Sequence, residues 1–197
     1  MHVGVVGGGV AGLGGALALA RRGHSVVVFE RDDTPMPESA DEAFEWDRRG
    51  APQVRHSHAF LARLVQLLKS DYADIYVELL DEGATEMRFG ADLPPTMVEF
   101  EPQPDDDELT MLACRRTTFE WVVRRAALAE GRVELRTGVA VDGLMQESGS
   151  STPHVTGVHL AYGTSTACDL VVVATGRRSA LPEWLAAIGC QRVDDTE

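Results

Sequence analysis

An uncharged, glycine-rich opening constrains this chain more than any other feature. Residues Val3 to Ala20 carry no charge, and seven of the first twenty residues are glycine. The apolar run is the length of a signal segment or a membrane span. However, only Met1 and His2 precede it, with no basic flank, and glycines at this density weaken a helix through backbone entropy. Their order is informative: Gly7, Gly9 and Gly12 make G-x-G-x-x-G, preceded by the strand-like His-Val-Gly-Val-Val of residues 2–6. A helix then runs to about Arg22, with Leu13, Ala16, Leu17 and Ala20 on one face. Gly23 ends it. Ser25 to Phe29 follow as a second strand, whose Val-Val-Val run suits the interior of a parallel sheet.

In a βαβ unit of this kind each glycine has a separate task. Gly7 permits the tight turn, Gly9 lets backbone approach a diphosphate, and Gly12 lets helix pack on strand. Val10 and Ala11 add the amides of the first helical turn, where free N–H groups and the helix dipole favour an anion. Glu30 closes the second strand about 20 residues on, where a carboxylate accepts the ribose hydroxyls of an adenosine; Arg31 beside it joins the candidate set. The alternative is a glycine-rich turn with a surface glutamate. The strand, turn, helix, second strand and acid all fall in register, which favours binding of an adenine dinucleotide.

Composition limits the partners. Lys plus Arg total 18 against 31 for Asp plus Glu, a formal charge of −13, which repels nucleic acid and anionic lipid. A diphosphate must therefore be held by local donors. Cys114, Cys168 and Cys190 lie far apart with no CxxC spacing, and read as reduced thiols of a cytoplasmic protein. His56 and His58 lack a third ligand at metal spacing, so no metal site is expected, and the acidic cluster Asp105–Glu108 reads as a solvated turn between strands near 96–100 and 109–113.

Downstream, apolar spacing predicts helices over Ala59–Lys69, Thr117–Glu130 and Pro182–Ile188. Strands are expected at Val133–Arg136, Val139–Gln146, Val155–Ala161 and Leu170–Ala174, the last running into Thr175-Gly176. The stretch Arg31–Pro52 is long and irregular, as suits a segment that wraps a cofactor.

With these elements in place, the chain resembles the FAD-dependent oxidoreductases of the aromatic-hydroxylase and glutathione-reductase-like superfamily. Gly7, Gly9, Gly12 and Glu30 match its adenosine-diphosphate fingerprint. Arg116, Phe119 and Val123 match its R-x-x-L-x-x-x-L helix, whose arginine contacts FAD in that family. Asp169 to Gly176 match its late strand, where Thr175 and Gly176 approach the cofactor. The segment Gln53-Val54-Arg55-His56-Ser57-His58 looks like the P-Q-x-R-H-x-H motif of a bacterial subgroup of hydroxylases and epoxidases. Arg55 and His56 read either as cofactor or substrate contacts or as residues that cap and solvate a helix start, and Arg55 joins the candidate cofactor set. Thr175-Gly176 departs from the Asp-Gly that many aromatic hydroxylases carry in this turn.

The resemblance implies an α/β fold: a Rossmann-type FAD/NAD(P)-binding domain with a mainly parallel sheet, crossover helices and a β-meander. It implies core segments 1–83 and 114–197, with 84–113 inserted as the start of a substrate-domain sheet. It also implies a later Gly-Asp signature that residues 1–197 lack, so the chain is expected to be an N-terminal portion of a longer enzyme type or a truncated gene product. The implied activity is a flavin monooxygenase reaction: NAD(P)H donates electrons, and one oxygen atom of O2 enters a small organic substrate by hydroxylation or epoxidation. A FAD-dependent dehydrogenase, reductase or halogenase relative, and a non-catalytic dinucleotide-binding module, remain open alternatives. No catalytic side chain is assigned, since in such enzymes the flavin carries the redox chemistry.

Overall fold

The computed structural model describes residues 1–48, 57–88, 90, 101, 103–147, 149 and 152–191. The chain divides into two compact units, one of Met1–Pro35 with Arg124–Glu197 and the other of Met36–Val123. The residues 84–113 read as an insertion fall within the second unit.

The first unit is built on a parallel sheet. Strands β1 (His2–Val6) and β2 (Ser25–Glu30) are joined by helix α1 (Val10–Arg21), and the strand order is completed by β6 (Val133–Thr137) beyond β2 and β10 (Leu170–Val173) beyond β1. Alternation across the pleat sends successive side chains to opposite faces. Val3, Val5, Val26 and Val28 pack on Ala16 and Ala20 of α1. Val6, Val27 and Phe29 pack on the other face with Leu144, Val158, Cys168 and Ile188. Both faces are covered, which is why β2 reads as an unbroken apolar run. Each such side chain contributes about 1.5–3 kcal/mol on burial.

The second face is covered by an antiparallel meander, β7 (Val141–Gln146), β8 (Val155–Leu160) and β9 (Ser165–Ala167), together with α5 (Leu181–Ala187). The architecture is thus the expected α/β Rossmann type with a parallel sheet, a crossover helix and a meander. Val133–Thr137, however, joins the parallel sheet, and Ser165–Ala167 is a meander strand that the sequence pattern did not reveal.

The second unit holds a three-stranded antiparallel sheet, β3 (Ser57–Phe60), β5 (Met111–Arg115) and β4 (Thr85–Met87), with β5 in the centre. Helices α2 (Ala62–Asp71) and α3 (Ala73–Asp81) follow β3, and α4 (Arg116–Ala129) follows β5, the unit boundary falling after Val123. One expectation is corrected here. The apolar spacing predicts helix from Ala59, but Ser57–Phe60 pair with Leu112–Arg115 as a strand, and helix begins only at Ala62. Phe60 packs on Phe119 with ring centroids 4.3 Å apart, so a tertiary contact overrides the local pattern. His58 is therefore a strand residue; the proposed strand at 96–100 and His56 lie outside the described residues. Among the described residues no helix is long and apolar enough to cross a membrane.

Candidate cofactor site

The site forms where β1 turns into α1. Gly7 has φ +107°, a conformation that favours glycine, and a Cβ there would stand 2.7 Å from the Ala174 carbonyl oxygen. Its N–H donates to the Phe29 carbonyl at 2.8 Å, and Ala174 N–H donates to Val6 at 2.8 Å. The turn is thereby tied to the ends of both neighbouring strands. Gly12 faces back onto the turn: a Cβ there would fall 1.8 Å from the Gly7 carbonyl oxygen, so only glycine allows the helix this close.

Gly9 behaves differently. It caps α1 with φ −81° and ψ −177°, an extended conformation open to any residue, and a Cβ there would meet no atom within 4 Å. Among the described residues nothing requires a glycine at this position. No side chain caps α1 either, and the first amides of a helix lack intrahelical acceptors. A bare backbone, open space and a helix N-terminus together suit a close-approaching anion. Val10 and Ala11 form the first turn, Ala11 exposed.

Glu30 is 92% buried at the end of β2, being 8% exposed. Its Oε2 accepts the Gly8 N–H at 2.8 Å and its Oε1 accepts the Asp32 N–H at 2.9 Å. Two backbone donors from opposite sides of the turn thus orient the carboxylate, and since each oxygen accepts more than one hydrogen bond, this orientation is compatible with ribose hydroxyls. Asp32 is itself held, accepting Thr34 N–H at 3.0 Å. Arg31 is exposed next to this carboxylate. Thr175 and Gly176 follow Ala174, and the space beside Gly7 ends at the Thr175 amide, 3.3 Å from the position of an added Cβ. The Thr175 hydroxyl donates to Ser179 Oγ at 2.8 Å, and Gly176 turns the chain with φ +79°.

Gly7, Gly9, Val10, Ala11, Gly12, Glu30, Arg31, Thr175 and Gly176 all belong to the first unit. Arg116 belongs to the second, where its guanidinium donates to Glu120 Oε2 at 2.6 Å and Arg48 donates to Glu120 Oε1 at 2.9 Å. Glu120 is fully buried between these two cations. Arg55 lies outside the described residues. Among the described residues no group of three metal-ligating side chains occurs.

Two site residues have no counterpart among the sequence-derived candidates. Gly8 is required to be glycine, because a Cβ would come within 2.9 Å of Glu30 Cβ and Oε2. Arg124 is 2% exposed and donates from Nη2 to the Gly8 carbonyl at 2.9 Å. Gly8 was visible as the middle of a Gly-Gly-Gly run. Arg124 was hidden, because it neighbours the solvent-exposed Arg125 within an otherwise apolar stripe.

The residues present fit FAD: an open glycine at a helix N-terminus for the diphosphate, and a held carboxylate one strand away for the ribose. Residues 2–41 match the family model described as FAD dependent oxidoreductase. Protein Rv3254 of Mycobacterium tuberculosis is 28% identical over 211 residues, covering 99% of this chain and 42% of that protein. The fold is shared with PqsL, a probable FAD-dependent monooxygenase from Pseudomonas aeruginosa. There the TM-score is 0.68 and the identity 18%, over 99% of this chain and 48% of that one. It is shared also with PyrE3, the Diels-Alderase of pyrroindomycin biosynthesis, at TM-score 0.64 and 22% identity over 94% and 34% of the two chains. The chain spans less than half the length of each of these relatives. The likeness to the FAD dependent oxidoreductase model lies in residues 2–41, and the likeness to the two solved structures is one of fold.

Proposed function

We propose that this chain holds FAD for a NAD(P)H-dependent monooxygenase reaction on a small organic substrate. The carrying observation is the contrast within one loop. Gly7, Gly8 and Gly12 are glycines because protein atoms crowd them, whereas Gly9 faces open space at a helix N-terminus without a side-chain cap. An open glycine is not by itself a mark of a ligand, but one at an uncapped helix N-terminus leaves the first amides of the helix accessible to an anion.

In this reading the amides of Gly9, Val10 and Ala11 bind the diphosphate, and Glu30 accepts the ribose hydroxyls with its two backbone donors fixing its angle. Thr175 and Gly176 close the side of the loop next to β10. Arg31 lies at the adenosine end. FAD, when bound, would supply the redox chemistry that links NAD(P)H as reductant to O2 as oxidant. Likeness in fold to PqsL is in keeping with the monooxygenase class. A cytoplasmic setting suits the three free thiols.

The test is uptake of FAD by the purified chain, followed by flavin absorbance, and then NADH- or NADPH-driven oxygen consumption. Uptake of FAD is expected, and Glu30→Ala should weaken it by about 1–3 kcal/mol, the range for leaving buried polar groups unmatched. Incorporation of labelled oxygen from O2 into an organic product would establish the monooxygenase class. A chain that takes up no FAD overturns the proposal, and FAD uptake with substrate oxidation but no oxygen transfer overturns its monooxygenase part.

A further inference from the structure

Gly8 is gripped at both ends by side chains from distant parts of the first unit. Its N–H donates to Glu30, 22 residues on, and its carbonyl accepts from Arg124, 116 residues on. Each bond fixes a different peptide plane. The Glu30 bond orients the Gly7–Gly8 peptide and the Arg124 bond orients the Gly8–Gly9 peptide.

The second of these planes matters for the ligand. The described residues contain no cis peptide bond, so the Gly9 N–H points opposite to the Gly8 carbonyl. Drawing the Gly8 carbonyl inward, onto a guanidinium 2% exposed, turns the Gly9 N–H away from Arg124. It thereby points away from the buried guanidinium, at the residue where an added Cβ would meet no described atom within 4 Å. Glycine makes this clamp necessary. Gly7, Gly8 and Gly9 form a run with no side chain to limit rotation of either peptide, so the loop left to itself samples orientations in which its amides diverge. A fork-shaped donor from a packed helix selects one orientation before the ligand arrives, which lowers the ordering cost of binding. The guanidinium also places a positive charge one peptide away from where an anion would sit.

We propose that Arg124 is a positioning residue for the diphosphate: through the Gly8 carbonyl it aims the Gly9 amide, and its charge adds to that of the helix terminus. The inference rests on the dinucleotide reading of the loop and adds to it a residue outside the G-x-G-x-x-G motif. It concerns the diphosphate alone. Adenosine is assigned to Glu30, which is held through the Gly7–Gly8 peptide and not through the Gly8–Gly9 peptide that Arg124 orients.

The experiment titrates the full chain and its Arg124→Met and Arg124→Lys variants with ADP and, separately, with adenosine. Binding is read from amide NMR shifts including that of Gly9, with circular dichroism to establish folding. For R124M, ADP affinity is expected to fall by about ten- to a hundredfold, the worth of one hydrogen bond to a charged group, with adenosine affinity unchanged. R124K keeps the charge without the fork and is expected to show a smaller loss, again for ADP only. Should R124M not fold, R124K decides on the same two probes. Equal losses for ADP and adenosine, or no loss for ADP, overturn the proposal by reducing Arg124 to a packing role. A wild-type chain that binds neither ADP nor FAD overturns the dinucleotide reading itself, a result distinct from wild-type binding that the variants leave intact.

Discussion

Replacing Gly9 and Gly12 by alanine, one at a time, should separate a glycine kept for a ligand from a glycine kept for the fold. At Gly12 the added Cβ would stand 1.8 Å from the Gly7 carbonyl oxygen, where ordinary contacts begin at 3.4 Å. The obstacle is backbone, and the turn that carries it is tied to Phe29 through the Gly7 N–H at 2.8 Å. Helix and strand must part by roughly 1.5 Å, which loses contacts along the whole α1 face because packed interiors do not deform smoothly. The expected destabilisation is about 3–5 kcal/mol, or a fall in Tm on the order of 10 °C for a chain of this size. At Gly9 the dihedrals suit alanine and the new Cβ meets nothing. Alanine is a poorer helix cap than glycine by roughly 1 kcal/mol, but it also restricts the unfolded chain by about 0.4–1 kcal/mol, so the two effects largely offset and stability should stay within about 1 kcal/mol of wild type. FAD affinity should nevertheless drop about tenfold or more, because the methyl group occupies the approach of the diphosphate. Thermal unfolding and a flavin fluorescence titration measure the two quantities. Wild-type FAD affinity in G9A would refute the placement of the diphosphate, and a wild-type Tm in G12A would refute the helix–strand contact.

Three further outcomes follow from the remaining charges and thiols. Glu120→Gln leaves Arg48 and Arg116 facing a neutral amide in a fully buried place; a loss of about 3–5 kcal/mol in denaturant unfolding is expected, as for other broken buried pairs, and a loss below about 1 kcal/mol would refute the bridging role of Glu120. Burial pushes the Cys114 thiol up from 9.0 to about 11, despite the lowering effects of a backbone hydrogen bond and of Arg115. A raised value means that stability is intact below pH 9 and declines between 9 and 11, and thiol reagents at pH 8 should reach the half-buried Cys190 well before Cys114. Lys69, together with Tyr76, holds the Glu86 carboxyl down at about 2 from 4.5. Its contribution is therefore present above pH 4.5 and lost as pH falls toward 2. The pair is partly solvated, so Glu86→Gln should cost about 1 kcal/mol or less, and carboxyl NMR titration should find the Glu86 midpoint at about 2, well below the ordinary 4.5.

The parts of this molecule legible in its sequence are those whose cause is local. The β1–α1–β2 unit could be read because a positive-φ turn, a close helix approach and a period of 3.6 between two apolar runs each leave a residue signature over fewer than thirty residues. What escaped depends on partners far along the chain. Phe60 lies in a strand because β5 and Phe119 await it, although Phe60, Leu61, Leu64 and Leu68 have helical spacing. The nine-residue helix α3 carries Ile75, Tyr76 and Leu79 on its buried side, a signal too short to stand out after the break at Tyr72. Glu120 and Arg124, both fully or nearly buried, sit on a helix that reads as simply amphipathic, and their burial goes with partners far along the chain, Arg48 for Glu120 and the Gly8 carbonyl for Arg124. Charged residues are written off to solvent by pattern reasoning, and this chain places two of its informative ones inside.

That distinction also bears on how a chain of net charge −13 keeps a diphosphate, and salt is the means of asking. If exposed cations such as Arg31 did most of the holding, raising the ionic strength from about 0.05 to about 0.5 M would shorten the screening length to a few ångströms and weaken FAD binding. If the holding falls to backbone amides, the end of α1 and a guanidinium 2% exposed, the attractive part is short-ranged and shielded from ions. The long-range part is then the repulsion between the acidic surface and the ligand, and salt screens that instead. FAD affinity should accordingly stay level or rise with salt, the reverse of the usual response of a phosphate site built from surface lysine and arginine. A fall of about tenfold over that range, measured by flavin fluorescence, would move the anion-binding role from Gly9 and Arg124 to Arg31 and the other exposed cations.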